Sequence, residues 1–133
     1  MKVLLSILVL ATGALGASPD QIAGVWLTPN GLSKVEISKC GERWCGAIRW
    51  MQTPRNDEHN EDSAQRSRSL VGAQILTGFT FDGGSGWTGG KIYAPERGRT
   101  VDAKLVLVNP DLLEVRVSAG IVKKTVSWTR VRQ

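Results

Sequence analysis

Apolar and polar residues alternate with a period of two along most of the chain after residue 21, which is typical of β-strands that bury one face. The clearest cases lie in two consecutive stretches, with apolar residues set against charged ones: Val101, Ala103, Leu105 and Leu107 against Asp102 and Lys104, then Leu113, Val115 and Val117 against Glu114 and Arg116. This period does not fit a helix. The pattern therefore predicts an all-β fold.

Eight runs of this kind recur at intervals of about ten residues, separated by glycine, proline, asparagine and aspartate. They are IAGVWLT (22–28), KVEIS (34–38), GAIRWMQ (46–52), AQILTGFTF (73–81), WTGGKIYA (87–94), TVDAKLVLV (100–108), LLEVRV (112–117) and IVKKTVSWTRV (121–131). The number of strands is compatible with an antiparallel sandwich or a barrel. The short connections favour an up-and-down meander, and closing it removes two exposed edges. We therefore predict a small eight-stranded barrel, either packed solid or holding one small ligand.

The N-terminal residues have the layout of a secretory signal peptide. Lys2 precedes the apolar run VLLSILVLA (3–11), and small residues follow up to Gly16 and Ala17. The alternative, a membrane anchor, needs about 20 apolar residues, which is roughly twice the length of this run. We predict a signal peptide over 1–17, a single domain over 18–133, and a periplasmic or secreted protein that does not span a membrane.

Composition and charge narrow the candidate functions. The chain has 133 residues, a formal net charge of +5, two cysteines and one histidine. The basic residues are scattered, so we predict no nucleic-acid partner. The length leaves no room for a separate cofactor domain, and we predict no cofactor and a monomer or weak dimer. Cys40 and Cys45 flank a glycine-led turn between two predicted strands. In an oxidising compartment this spacing favours a structural disulfide over a redox pair.

The segment 53–70 is the one long connection, and it is strongly charged. His59 lies among Asp57, Glu58, Glu61 and Asp62. Such a cluster could hold a divalent cation, but it lacks the EF-hand spacing and the sequence shows no second ligand cluster. A solvated surface loop is therefore the preferred interpretation, and no metal site is predicted. Asp62 or Ser63 could cap a helical turn. We see no catalytic constellation and predict a protein that is not an enzyme.

The positions of the aromatic residues indicate how the predicted barrel closes. Trp26 lies in the first predicted strand, and Trp128 and Arg130 lie in the last. In a closed barrel these strands are neighbours, so Arg130 can cover the face of Trp26 and close one end of the barrel. These three residues are predicted to be structural. The other rings line either the core or a cavity.

The chain resembles a family of small secreted bacterial proteins known as domain of unknown function 2147, and more broadly the lipocalin-like barrels. The resemblance rests on GVWLTP (24–29), KVEISKCGERWCGAI (34–48), RSRSLVGAQIL (66–76), GWTGGKIYAPERG (86–98), LLEVRV (112–117) and VSWTRV (126–131). It implies a lipocalin-like barrel in the cell envelope that carries a small apolar ligand. It implies no catalytic residue.

These observations predict an exported barrel that binds a small hydrophobic or amphiphilic ligand. The predicted contacts are four rings and two cations that can anchor a polar headgroup: Trp50, Phe79, Trp87, Tyr93, Arg68 and Lys91. The alternative is an envelope interaction module in which the charged 53–70 loop binds a protein or polysaccharide. A third hypothesis, an enzyme acting through carboxylates of that loop, is less favoured.

Overall fold

A computed structural model describes residues 16–132 of the chain. It contains eight β-strands and three short 3-10 helices within these residues. The strands are β1 Gly24–Leu27, β2 Ser33–Cys40, β3 Arg43–Met51, β4 Gln74–Phe81, β5 Gly86–Ala94, β6 Arg99–Asn109, β7 Leu112–Ala119 and β8 Val122–Arg130. The 3-10 helices are Pro19–Ile22, Pro29–Gly31 and Ser63–Gln65. The predicted signal peptide lies almost wholly outside the described residues and stays a prediction.

Each strand pairs antiparallel with the next, and β8 pairs with β1, so the sheet is a closed barrel with strands in sequence order. The predicted all-β, eight-stranded, up-and-down barrel is therefore confirmed. The first strand is shorter than predicted, because Ile22 belongs to the 3-10 helix before it and Gly24 adopts a φ of +132°. No helix among the described residues has the length and apolar character needed to cross a membrane.

The alternating pattern decides which side chains enter the barrel. Leu105 pairs with Trp87 on one side and Val115 on the other, and all three are fully buried. Phe79 and Leu76 are also fully buried, and a Cβ placed on Gly90 would meet the Phe79 ring at 2.5 Å. Side chains therefore fill the middle of the barrel. Towards the β5–β6 and β7–β8 connections the interior is only half-buried, at Ile92, Val101, Val117 and Val126.

The two ends of the barrel are built differently. One end, which we call the closed end, holds the Pro19–Ile22 helix and the last residues of β8. It also holds the β2–β3, β4–β5 and β6–β7 connections. There, Trp26 donates a hydrogen bond to the Ile22 carbonyl (3.0 Å), and Trp87 donates one to the Pro19 carbonyl (3.3 Å). The Arg130 guanidinium lies 4.3 Å from the centre of the Trp26 ring. The helix thus caps the interior at this end.

The β2–β3 hairpin at the closed end carries the predicted disulfide. Cys40 and Cys45 are bonded across it, with their Cα atoms 5.8 Å apart. The turn between the strands consists of Gly41 and Glu42, and Gly41 has a φ of +66°. The disulfide prediction is therefore confirmed.

The opposite end, which we call the loop end, holds the β1–β2, β3–β4, β5–β6 and β7–β8 connections. The β3–β4 connection, residues 52–73, is the longest and contains the predicted charged segment. Its 3-10 helix, Ser63–Gln65, begins after Asp62, whose carboxylate accepts a hydrogen bond from the Ala64 N–H (3.0 Å). The loop is therefore a folded element of the molecule, and it faces the outer surface of the barrel.

Candidate functional site

A pocket of about 450 Å3 lies between the 52–73 loop and the outer face of β4, β5 and β6. The sheet contributes Ile75, Thr77, Tyr93 and Thr100, and the loop contributes Arg68 among others. Leu76 pairs with Ile92 on the interior face, so their neighbours Ile75 and Tyr93 point outward. Ile75 nevertheless has only 6% of its surface exposed. The loop therefore covers part of the sheet and leaves a pocket of mixed apolar and polar character.

A buried carboxylate holds the loop in this position. Asp57 is fully buried and accepts hydrogen bonds from Tyr93 Oη (2.6 Å), Asn60 Nδ2 (2.7 Å) and Arg68 Nε (2.9 Å). The Asp57 backbone N–H also donates to the Arg68 carbonyl (2.9 Å). Two loop residues and one strand residue thus donate to one buried carboxylate, and we call this group of four residues the Asp57 latch (Asp57, Asn60, Arg68 and Tyr93).

The latch shifts the ionisation of both its acidic members. Burial opposes charge on Asp57, but hydrogen bonds from Asn60, Tyr93 and Arg68, and the charge of Arg68, outweigh it and hold the pKa of Asp57 below its ordinary value. Burial, followed by the hydrogen bond to the Asp57 carboxylate, raises the pKa of Tyr93 to about 12. The resting state at neutral pH is therefore an ionised Asp57 beside a neutral Tyr93.

The loop also fits closely against the β5–β6 turn. Gly98 has a φ of +65°, and a Cβ added there would lie 1.7 Å from the His59 carbonyl oxygen. Only glycine permits this approach. Two ion pairs lie between the loop and this turn, Arg99 with Glu61 (3.2 Å) and Arg55 with Glu96 (3.6 Å). The first is solvent-exposed and the second joins a half-buried arginine to an exposed glutamate, so both contribute little stability. The wall of the pocket is therefore fixed mainly by the Asp57 latch and by the close backbone contact.

Arg68 is the latch member that can act on a ligand. Only its Nε is used by Asp57, and its guanidinium lies 5.5 Å from the centre of the Tyr93 ring. The side chain is 36% exposed at the pocket. The two terminal nitrogens of the guanidinium form a planar fork that suits a carboxylate or phosphate oxygen pair. The pocket therefore offers one cationic fork, one aromatic ring and one apolar side chain, Ile75.

The structure does not bring the six predicted ligand contacts together. Phe79 and Trp87 are fully buried inside the barrel, where they pack in the core. Trp50 lies outside at the end of β3, with Lys34 over its ring at 5.1 Å. Lys91 faces outward and pairs with Asp102 (2.6 Å). Tyr93 and Arg68 are the two that meet at one pocket, and their role in binding stays a prediction.

Sequence reasoning missed the latch. It grouped Asp57 with the exposed acidic residues of a solvated loop, and for Asp57 that interpretation is wrong, because its carboxylate is buried and already accepts three hydrogen bonds. Tyr93 is 36 residues away along the chain. No local pattern connects the two positions. Within residues 16–132, no three His, Cys, Asp or Glu side chains form a group suited to a metal ion.

Comparison with known proteins gives the family and supports the fold. A profile of the family described as "Uncharacterized protein conserved in bacteria (DUF2147)" matches residues 24–130, and the chain belongs to this family. Among solved structures, it is similar to protein HP1028 from the human pathogen Helicobacter pylori, which is described as belonging to the lipocalin family. The TM-score is 0.77 at 23% identity, and the match covers 84% of each chain. No curated protein matches the chain.

Proposed function

Taking membership of this family as the premise, we propose that the protein is an exported, non-enzymatic barrel that binds a small amphiphilic molecule in the cell envelope. The proposed site is the pocket between the 52–73 loop and β4–β6. The observation that carries the proposal is the pocket itself, about 450 Å3 in volume and walled by a loop that a buried charge holds in place. Sites for small molecules are commonly of this size and largely preformed.

The chemistry of the pocket indicates the class of ligand. The Arg68 fork suits an anionic headgroup, while Ile75 and the Tyr93 ring offer contact surface to a short apolar portion. Glu61 and Asp62 line the same pocket, so its rim also carries negative charge. A compact ligand with one acidic group and neutral or cationic polar groups fits this arrangement better than a long acyl chain, because side chains already fill the middle of the barrel.

The proposal is tested by native mass spectrometry of the protein purified from its host, before and after organic extraction. We expect an extra mass that extraction removes. Thr77→Trp places a large ring at the pocket from an exposed, outward position of β4, so we expect that variant to carry no extra mass. Ser127→Trp, on an exposed position of β8 away from this pocket, is the matched control and should keep it.

Two outcomes contradict the proposal in different ways. A bare polypeptide mass for the parent protein, unchanged when candidate amphiphiles are added, argues against ligand binding altogether. An extra mass that persists in Thr77→Trp places the ligand elsewhere, and the half-buried interior near Val117 becomes the next site to examine.

The second candidate function is recognition of a protein or polysaccharide by the same loop. It is favoured by the exposure of Glu58, His59 and Arg66 on a segment whose backbone the Asp57 latch fixes. Replacing Glu58, His59 and Arg66 together by alanine removes these side chains, leaves Asn60 in the Asp57 latch, and should abolish capture of such a partner. The Thr77→Trp variant leaves all three exposed side chains in place, so it separates this function from ligand binding.

A further inference from the structure

The β7–β8 hairpin at the loop end has an apolar tip. Its turn consists of Gly120, with a φ of +63°, and Ile121, whose side chain is 99% exposed. The next residue, Val122, is 64% exposed. Hairpin turns ordinarily hold Gly, Asn, Asp or Ser, which are suited to water and to the backbone geometry. An isoleucine at this position buries nothing within the described part of the chain.

The backbone does not require an apolar residue there. The β2–β3 hairpin at the closed end uses the same two-residue turn, in which Gly41 has a φ of +66° and is followed by Glu42. The two tips therefore differ in the chemistry of one exposed side chain on a matched backbone. The fold therefore does not require Ile121, and its exposed side chain is available to contact an external surface.

A basic groove lies directly below this tip, on the outer face of β6, β7 and β8. It has a volume of about 330 Å3, and the cations of its lining that lie on this outer face are Lys104, Arg116 and Lys123. Lys124 pairs with Val117 and therefore lies on the interior face. Ser118 pairs with Lys123, and Arg116 pairs with Thr125. At about 3.3 Å per residue, these rows lie roughly 7 and 13 Å from the tip along the hairpin. Positive charge therefore starts close beneath the apolar residues.

Some of the basic side chains of this groove are paired with carboxylates, and others are available to bind an external anion. Asp102, which also lines the groove, is ion-paired with Lys91 (2.6 Å), and Arg116 is paired with Glu114 (2.8 Å). Across residues 16–132, no carboxylate lies within ion-pair distance of Lys104 or Lys123. Cations below an apolar tip match the layered chemistry of an anionic lipid surface, with its acyl chains beneath its phosphates.

We infer that the β7–β8 hairpin docks the protein on a bilayer surface that contains anionic phospholipid. Ile121 and Val122 enter the edge of the acyl region, and Lys123 and Arg116 lie against the phosphate groups. Two further exposed apolar side chains, Leu32 and Trp50, belong to the same end of the barrel. The Lys34 ammonium lies over the Trp50 ring, which is an arrangement suited to the interfacial layer. This inference does not depend on the proposed ligand pocket.

The test is flotation of the protein with vesicles of phosphatidylethanolamine and phosphatidylglycerol, compared with vesicles of phosphatidylcholine alone. All variants are purified from the same host, so the N-terminus is constant among them. We expect the parent protein to float with the anionic vesicles. Ile121→Asn keeps a favourable turn and should weaken this binding about tenfold. Lys123→Gln should weaken binding to the anionic vesicles by roughly fivefold and reduce its dependence on salt.

The matched control is Val108→Asn, which removes a half-exposed apolar side chain on β6 near the closed end. It should float like the parent protein. Equal binding by the parent and Ile121→Asn, or no binding by either, overturns the inference. A parent protein that self-associates without vesicles, and loses that association in Ile121→Asn, also overturns it, because the tip is then a contact between protein molecules.

Discussion

Each end of the barrel has an arginine over an aromatic ring, but the two arginines have different structural roles. At the closed end, Arg130 lies 4.3 Å from the centre of the Trp26 ring and donates hydrogen bonds to the Ala23, Gln21 and Pro110 carbonyls. At the loop end, Arg68 lies 5.5 Å from the centre of the Tyr93 ring and is paired with the buried Asp57 carboxylate.

The difference lies in what each arginine satisfies. Arg130 donates hydrogen bonds to backbone carbonyls next to the buried Trp26 ring. The closed end is therefore stabilised by apolar packing and by hydrogen bonds to uncharged carbonyl oxygens. Arg68 neutralises a charge that would otherwise be isolated in the protein, so the loop end depends on one ion-pair network. The first arrangement holds the barrel together, whereas the second holds a loop against it. Substitutions at the closed end should therefore destabilise the whole barrel, whereas substitutions at the loop end should mainly release the loop.

The largest effect is expected from Trp26→Ala. Trp26 is fully buried and donates a hydrogen bond to the Ile22 carbonyl, so its loss opens a cavity and frees the Pro19–Ile22 helix. We expect the free energy of unfolding to fall by about 4 kcal/mol, measured by denaturant titration. Trp50→Ala, at a 43% exposed tryptophan, is the control and should cost less than about 1 kcal/mol. Equal losses would contradict the assignment of Trp26 to the structural core.

An intermediate effect is expected from Asp57→Ala. The variant leaves Arg68, Tyr93 and Asn60 without their shared acceptor, at a cost of about 2 kcal/mol. We expect the loss to appear as faster hydrogen exchange at the Asp57 and Leu70 N–H groups, while the barrel strands stay protected.

Asp102→Ala is the control for this variant, because the Asp102–Lys91 pair is largely exposed and should contribute less than about 0.5 kcal/mol. Uniform loss of protection across the barrel in Asp57→Ala would mean that the latch stabilises the whole fold rather than the loop.

The smallest and most specific effect concerns the titration of Tyr93, the single tyrosine of the chain. Burial and the hydrogen bond to Asp57 raise the pKa of Tyr93 to about 12 from 10.0. Between these values the folded chain keeps a proton that the unfolded chain releases. The stabilisation from Tyr93 is therefore complete below pH 10 and is lost as the pH rises through about 12.

Ultraviolet absorbance of the tyrosinate measures this pKa directly, because no other tyrosine contributes. Asp57→Asn removes the charged acceptor but retains the burial, so we expect the midpoint to fall part of the way towards 10.0. An unperturbed midpoint in the parent protein would contradict the latch geometry.

Local pattern was enough to predict most of the closed end. Alternation gave the strands, short connections gave their order, and closure then made the first and last strands neighbours, which brings Arg130 to Trp26. The disulfide needed only a hairpin with cysteines near its turn. No local sequence pattern of this kind indicated the Asp57 latch. Asp57 looks like its exposed neighbours Glu58 and Glu61, and nothing in the loop marks it as the residue that Tyr93 contacts.

The sequence by itself determined the all-β class, the eight strands, the barrel and the Cys40–Cys45 disulfide, because period-two patterning and turn residues act over a few neighbouring positions. Tertiary structure alone decided that Asp57 is buried, that the aromatic residues divide between the core and the outer surface, and that a pocket forms under the loop. These features depend on contacts between residues far apart in the chain, such as Asp57 and Tyr93. Their energies come from burial and shared hydrogen bonds, which exist only after the loop has packed against the barrel.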